Sequence, residues 1–531
     1  PLLYDLSGVP KGSDFAPEKI SVYDVYPDYA EPFRSGSGSA GSRLDTPAGL
    51  LTYMVNRHTD ETFHTDTYYY DRLGRPIQTL SRYMQTDIVH SVSYNYAGAK
   101  SYERTEVANP LTNKRHTLLM RYYYDRAERL SKVSAYLSEG DTVSIETCYS
   151  PSGHPFRQDY YKGERFILDF NNPKAGRLFC KEYEYDVHGW QTKAVTKIPR
   201  WAAVFPHASL GSEVSRPFYS RALAGDSLFM PWIKEPELAL TNNFVEEILY
   251  ADGANARYNG TPSAHIAAGA GRYDYRYDSL DRLVAADYTP KLPDSAEDFS
   301  TAYQYDNMGR PLAVTRYGVV DSDGESETFG LLDKFTLDYD GPLLSSVTSR
   351  SDEVEGTNFY GRTGLQSGLS EVPATYTFNA DGRLKRDGAS GHSYHYTPTG
   401  LVSEIHNSHL LMQPRLQQSE YITYDADGRR TERWQTRRNG GRFATLSYRR
   451  YVGPFTFNTD TLERVDFPGG YFDGHGKAHF LLTDWQGNVD MVVGSDGKMV
   501  QHNTYYPYGE PHREPSGQRR LFAGKERQDY V

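Results

Sequence analysis

The residues Tyr303-Gln304-Tyr305-Asp306-Asn307-Met308-Gly309-Arg310-Pro311-Leu312-Ala313-Val314 set out a unit that recurs through most of the sequence. Tyr303 and Tyr305 share one face of an extended chain, because successive side chains of a strand alternate. Asp306 stops the strand: as the first residue of a type I turn its side chain bonds the backbone ahead, and Gly309 supplies the positive φ that reverses the chain. After Arg310, Leu312 and Val314 resume the two-residue period. The unit reads as a β-hairpin with a Tyr-rich outgoing strand and an aliphatic returning one.

Good copies carry Tyr70-Asp71 with Gly74-Arg75, Tyr185-Asp186 with Gly189, Tyr277-Asp278 with Asp281-Arg282, Phe378-Asn379 with Gly382-Arg383, and Tyr424-Asp425 with Gly428-Arg429. Tyr124-Asp125 is followed by Glu128-Arg129, and Glu128 at the glycine position predicts a locally different turn. Weaker copies are Tyr94-Asn95-Tyr96, Tyr149 with Gly153, Tyr339-Asp340 and Tyr396 with Gly400. The intervals Tyr70 to Tyr96, Tyr96 to Tyr124, Tyr277 to Tyr305 and Tyr396 to Tyr424 all fall in the high twenties. A fixed period of that size marks stacked units, none of which buries its face alone. The repeated Asp and Arg fix the turns and pair between stacked hairpins.

This pattern resembles the Tyr-Asp (YD) repeats of the Rhs, or rearrangement-hotspot, family of bacterial proteins, found also in insecticidal toxin complexes and animal teneurins. The resemblance runs from about Tyr68 onward. Near the end, Thr483-Asp484-Trp485-Gln486-Gly487, Gly494-Ser495-Asp496-Gly497, Tyr505-Tyr506-Pro507-Tyr508-Gly509-Glu510 and Gly524-Lys525-Glu526 follow one another in the order of the Rhs-associated core domain. Tyr508 stands where Phe is usual and Trp485 where His is commoner. In the family this core continues into an Asp-Pro motif that carries out self-cleavage, then into a variable toxin. The present chain stops at Val531, so no cleavage residue carries over.

Composition fits a wall of hairpins. Tyr accounts for 45 of 531 residues, while mean hydropathy is −0.68. An aliphatic core of ordinary density is not available, and Tyr rings supply apolar area while their hydroxyls stay paired or wet. The net charge of −11 argues against a general nucleic-acid binder. No window approaches the roughly 18 apolar residues of a membrane-crossing helix. Pro1 opens the chain with no initiator Met or signal segment, which reads as a piece of a longer product.

Five segments follow. Residues 1–52 form a Pro/Ser/Gly-rich lead-in or cap. Its Gly36, Gly38 and Gly41 match a dinucleotide fingerprint but lack the flanking strand and helix, so a loop is the better reading. Repeats fill 53–197. An irregular insertion with Trp201, Phe205, Phe229 and Trp232 occupies 198–243; a plug or lid is favoured over a ligand-binding loop. Repeats resume over 244–470, where Val245 to Gly260 resembles a mid-protein Rhs segment, and 471–531 is the core domain. Within the repeats, Arg429, Arg430, Arg433, Arg437, Arg438, Arg442, Arg449 and Arg450 make a basic run, read as a solvated hairpin edge rather than a polyanion contact.

No catalytic or cofactor motif stands out. His475 and His479 read as loop histidines rather than a metal pair, and the Asp321–Gly324 and Asp425–Gly428 runs as turns without the later Glu of a calcium loop. Cys148 and Cys180 read as separate thiols rather than a redox staple. The expected fold is all-β: stacked hairpins in a coiled solenoid which, as the resemblance implies, wraps into a hollow shell. The resemblance implies a non-enzymatic casing for a carboxy-terminal toxin, secreted or at the bacterial surface, whose partners are the toxin cargo, an immunity protein and a secretion apparatus. The alternative is an adhesion or glycan-recognition protein. Catalytic, cofactor and metal residues are expected to be absent.

Overall fold

The computed structural model describes residues 19–34, 43–57, 63–83, 86–108, 114–163, 177–198, 242–251, 255–322, 326–349, 373–407, 417–425, 428–439, 442–513, 517 and 525. Gly36, Gly38 and Gly41, the insertion aromatics Trp201, Phe205, Phe229 and Trp232, and Gly524 and Glu526 of the core motif lie outside them. The described residues form 33 β-strands and no helix. Pairings are antiparallel and run from one strand to the next in the chain, as through Leu51–Arg57, Phe63–Tyr70, Pro76–Tyr83, Thr86–Tyr94, Lys100–Ala108, Arg115–Tyr124 and Leu130–Leu137. The fold is all-β, a meander of hairpins.

The repeat signature forms its turns by local bonding. At the first copy the Asp71 N–H donates to the Arg75 carbonyl at 2.9 Å, the Gly74 N–H to the Asp71 carbonyl at 3.0 Å, and Gly74 sits at φ 74°. The register slips by one residue just before the turn, between Tyr69 and Tyr70, so each turn ends in a bulge that sharpens the local twist. The Asp125 turn has the same bonds, Asp125 N–H to Arg129 carbonyl at 2.9 Å and Glu128 N–H to Asp125 carbonyl at 3.0 Å, with Glu128 itself at φ 61°. The different turn expected at Glu128 is therefore not made. The flanking bonds hold Glu128 in the left-handed region, at a cost of roughly 1 kcal/mol relative to Gly.

The phase of one weak copy also needs correction. Asn95 occupies the Asp position, its N–H donating to the Ala99 carbonyl at 2.8 Å, so Tyr94 and not Tyr96 is the equivalent of Tyr70. Tyr96 stands fully exposed at the turn.

Contacts divide the chain into two compact units, one of residues 1–142, 302–478 and 528–531, the other of 143–301 and 479–527. In the first, strand Lys19–Tyr23 pairs with Leu51–Arg57, and Tyr26, Phe33 and Tyr94 pack on buried Tyr69, Ile77, Leu80 and Val89. The basic run lies in this unit and is not a solvated edge. Strands Arg430–Asn439 and Arg442–Val452 each pair on both sides. Arg433, 2% exposed, makes a bidentate pair with Glu420 at 2.7 and 2.8 Å; Arg450 is buried over Phe457 and donates to Thr86 Oγ1 at 3.2 Å; Arg449 pairs with Glu463. Carboxylates on other strands take the Arg433 and Arg449 guanidiniums, while Arg437 and Arg438 are exposed.

In the second unit, Tyr160 stacks on Phe179 at 4.3 Å, and Phe480 meets both rings edge-on. Cys148 pairs in register with Arg157 and Cys180 with Asp159, which puts strand Pro155–Lys162 between the two cysteines. Both thiols are free; burial pushes Cys180 up to about 11.

Candidate functional site

In the repeat turns each carboxylate is used inside its own turn. Asp71 Oδ1 accepts the N–H groups of Leu73 and Arg75, both at 2.9 Å, and Oδ2 accepts Arg75 Nε at 2.7 Å. Asp306 with Arg310 repeats this pattern, as do Asp125 with Arg129 and Asp278 with Arg282. Asp186 keeps only the backbone half, because Trp190 replaces Arg; Asp425 accepts the Arg429 N–H at 2.8 Å. Gly189, Gly309 and Gly428 take positive φ like Gly74. Although what burial these carboxylates have opposes it, the turn's backbone and arginine hydrogen bonds hold Asp71 below the usual carboxylate range.

The tyrosine before each Asp reaches back one hairpin. Tyr70 donates to the Leu51 carbonyl at 2.6 Å, Tyr94 to Pro76 at 2.8 Å, Tyr339 to Pro311 at 2.9 Å and Tyr424 to Val402 at 2.8 Å. The arginine of the preceding turn lies over the same ring, Arg75 over Tyr94 and Arg310 over Tyr339, each at 4.7 Å. Asp, Arg and Tyr thus clip successive hairpins together. Tyr185 stacks on His154, at 4.8 Å, and Tyr305 on Tyr303, at 6.5 Å. These sequence-predicted residues do not converge on one site.

The core motif residues do converge, in the second unit. Asp484 opens the same turn as the repeats: its N–H donates to the Asn488 carbonyl at 2.8 Å, Gly487 N–H to the Asp484 carbonyl at 3.0 Å, and Asp484 Oδ1 accepts the N–H groups of Gln486 and Asn488. Asn488 stands where the repeats have Arg, donating to Oδ2 at 2.8 Å. Tyr506, Pro507 and Gly509 form the same backbone turn again, with buried Tyr506 at the Asp position. Lys525 is exposed.

Around Asp484 the charges are enclosed. Lys181, 3% exposed, donates to the Thr483 carbonyl at 2.5 Å; Glu246 accepts the Trp485 N–H at 3.2 Å and faces His265 Nε2 at 3.1 Å. Burial pushes Asp484 up to about 6, against its bonds from Asn488, and Glu246 adds to the rise. Asp490 is likewise raised by burial, which Lys181 only partly offsets. Burial would also raise Glu246, but the bond and charge of His265, with Lys181, bring it below the usual range. Lys181 itself is pulled down by burial and more than restored by Asp490 and Glu246. Sequence reading singled out Asp484 but missed Lys181, Glu246, His265 and Asp490; the Glu246-Glu247 pair set between Phe244-Val245 and Ile248-Leu249 was the available signal.

Further along, His502 Nε2 meets the Ala268 carbonyl at 2.7 Å and His512 Nε2 meets the Tyr273 hydroxyl at 2.7 Å, with Phe299 stacked on His512 at 3.9 Å. The cavity that Glu246, His265, Asp484, Asp490 and Tyr505 line is about 20 Å³, space for one water. Such an arrangement fixes residues 479–513 to the hairpins of 143–301. Among the described residues, the grouping with three metal-type ligands lies in the other unit, at His395, Glu404 and His406; His475 is exposed in the Asp473–Lys477 turn and His479 lies on strand Ala478–Thr483.

No family model matches the chain, and no curated protein matches it. Solved structures do. A TcdB2-TccC3-Cdc42 crystal structure aligns over 93% of this chain and 25% of its own, at 12% identity and a TM-score of 0.49. A TcdB2-TccC3 crystal structure aligns over 92% and 31%, at 11% identity and 0.35, and a Photorhabdus luminescens Tc holotoxin pore over 88% and 31%, at 11% and 0.21. The chain spans about a quarter to a third of the length of these structures.

Proposed function

We propose that this chain is a section of a non-enzymatic β-shell, its hairpins coiling into the wall of a hollow case that holds a toxin encoded after the core domain. The case is secreted or displayed by a bacterium against competing bacteria or a host, with an immunity protein and a secretion apparatus as further partners. The observation that carries this reading is the fastening of residues 479–513 to the hairpins of 143–301 through Lys181, Glu246, Ala268 and Tyr273. A wall needs the segment that leads to the cargo fixed to it, and it needs repeat turns whose charges are spent on the wall, as Asp71 and Asp306 are.

The test is to express the complete reading frame and follow it by mass spectrometry under limited proteolysis. A carboxy-terminal fragment that stays with the repeats and resists protease until the chain is denatured is the expected result. A frame with no domain beyond the core, or a fragment digested as fast as its isolated form, contradicts the reading.

One observation favours the recognition alternative. Glu432, Trp434, Leu446, Ser447, Tyr448 and Asn458 line an open groove of about 580 Å³, and an aromatic floor with polar walls suits a sugar ring. Loss of glycan-array signal on Trp434→Ala would support it; an array with no signal for the parent chain would remove it.

A further inference from the structure

The hairpin of strands His392–Tyr396 and Val402–Asn407 carries a constellation that neither the repeat signature nor the casing requires. His395 pairs directly opposite Glu404, and His406 follows Glu404 by two residues on the same face. The nitrogen and oxygen ligand atoms of the three side chains lie within 4.8 Å of one another. His406 Nε2 is 2.9 Å from Glu404 Oε2, and the His395 and His406 rings are 5.3 Å apart and nearly perpendicular. On the next strand, Ser419 pairs opposite His406 and its Oγ meets His406 Nδ1 at 2.8 Å. Tyr421, edge-on to His406 at 6.0 Å, stacks on Trp434.

We infer that His395, Glu404 and His406 bind a divalent transition-metal ion of the zinc class. Two imidazoles and one carboxylate suit zinc and its neighbours rather than magnesium or calcium, which take oxygen ligands. Zinc bonds of about 2.0–2.2 Å put tetrahedral neighbours roughly 3.3–3.5 Å apart. Glu404 and His406 are held close to that spacing by the two-residue period of one strand, and His395 is exposed, so its ring closes the remaining distance by rotamer change. Ser419 is the outer partner that a metal-binding histidine needs: when a metal takes the Nε2 lone pair of His406, Ser419 Oγ accepts the Nδ1 proton across the 2.8 Å contact. A shared imidazole proton or a bound metal ion accounts equally for the 2.9 Å approach of His406 Nε2 to Glu404 Oε2. A proton is the competing occupant. With three protein ligands, the fourth position is open to water or to a side chain of a partner. The ion would tie the two strands of this hairpin together at a partly exposed face.

The test is zinc titration of the whole chain by calorimetry after chelator treatment, with cobalt absorption as a second reading. The expected result is one zinc per chain, tetrahedral d–d bands with cobalt, and no competition by magnesium. His395→Ala and Glu404→Gln each weaken binding at least about 100-fold, and Ser419→Ala about 10-fold. His395 is exposed, so its variant melts like the parent in chelator, which separates loss of ligand from loss of fold. No zinc bound by the parent chain, or equal binding by parent and variants, overturns the site.

Discussion

The turn at Asp71 and the turn at Asp484 share one backbone and part company in their electrostatics. Both use an Asp whose Oδ1 accepts two backbone N–H groups, and both place Gly at positive φ. At Asp71 the fifth residue is Arg, and the carboxyl titrates below its usual range. At Asp484 it is Asn488, and burial with the charge of Glu246 pushes the carboxyl up to about 6. The backbone motif therefore does not set the charge; the partner and the solvent do. Repeat turns such as those of Asp71 and Asp306 hold their own counter-ion, while the Asp484 turn borrows Lys181 from a strand some 302 residues earlier in the chain.

The largest test of this difference is removal of the borrowed cation. Lys181→Ala leaves Asp490 and Glu246 buried without it and should destabilise the chain by roughly 3–5 kcal/mol, read as a large fall in the denaturation midpoint. A change under about 1 kcal/mol would show that the core charges are neutralised some other way.

The pH responses of the two turns should be opposite. Asp484 binds protons more tightly folded than unfolded, so its contribution is present at low pH and is lost as pH rises through about 6. Asp71 binds them less tightly, so its contribution is present above the ordinary carboxylate value and is lost as pH falls below it. Carboxyl-carbon NMR should place the Asp484 midpoint near 6 and that of Asp71 below the ordinary carboxylate value; coincident midpoints would contradict the contrast.

Smaller effects are expected within the repeats. Asp71→Ala removes two backbone hydrogen bonds and a half-buried ion pair and should cost on the order of 1 kcal/mol, nearly independent of salt if the backbone bonds dominate. Glu128→Gly relieves left-handed strain at an otherwise ordinary turn and should raise stability by roughly 0.5–1 kcal/mol, measured in urea. A destabilising Glu128→Gly would show that the Glu side chain has a contact that outweighs the strain.

The hairpins were legible because their determinants are local. Asp, Gly and Arg act within five residues, and a two-residue period needs no knowledge of the fold. Glu128 misled because local preference was allowed to decide the turn, while the bonds at Asp125 and Arg129 impose it. The arginine run misled for a different reason: its neutralising groups lie on other strands, Glu420 for Arg433 and Glu463 for Arg449, and only the order of strands in the sheet reveals them. His395, Glu404 and His406 were missed for the same reason. Glu-x-His marks one face of a strand, but the third ligand is visible only once the turn Thr397–Leu401 fixes what lies opposite. Near the carboxy-terminal end the motif identified Asp484 and its Asn488 partner, and long-range packing supplied Lys181, Glu246 and the burial that raises its carboxyl.

The account rests on residues 479–513 being one body with the hairpins of 143–301. Hydrogen exchange of the whole chain, followed by mass spectrometry, tests that directly. Peptides from 479–513 should exchange at the same slow rate as those from Arg177–Ile198 and Arg272–Thr289, and Lys181→Ala should speed all of them together. Fast exchange confined to 479–513, with the hairpins still protected and indifferent to Lys181→Ala, would contradict it.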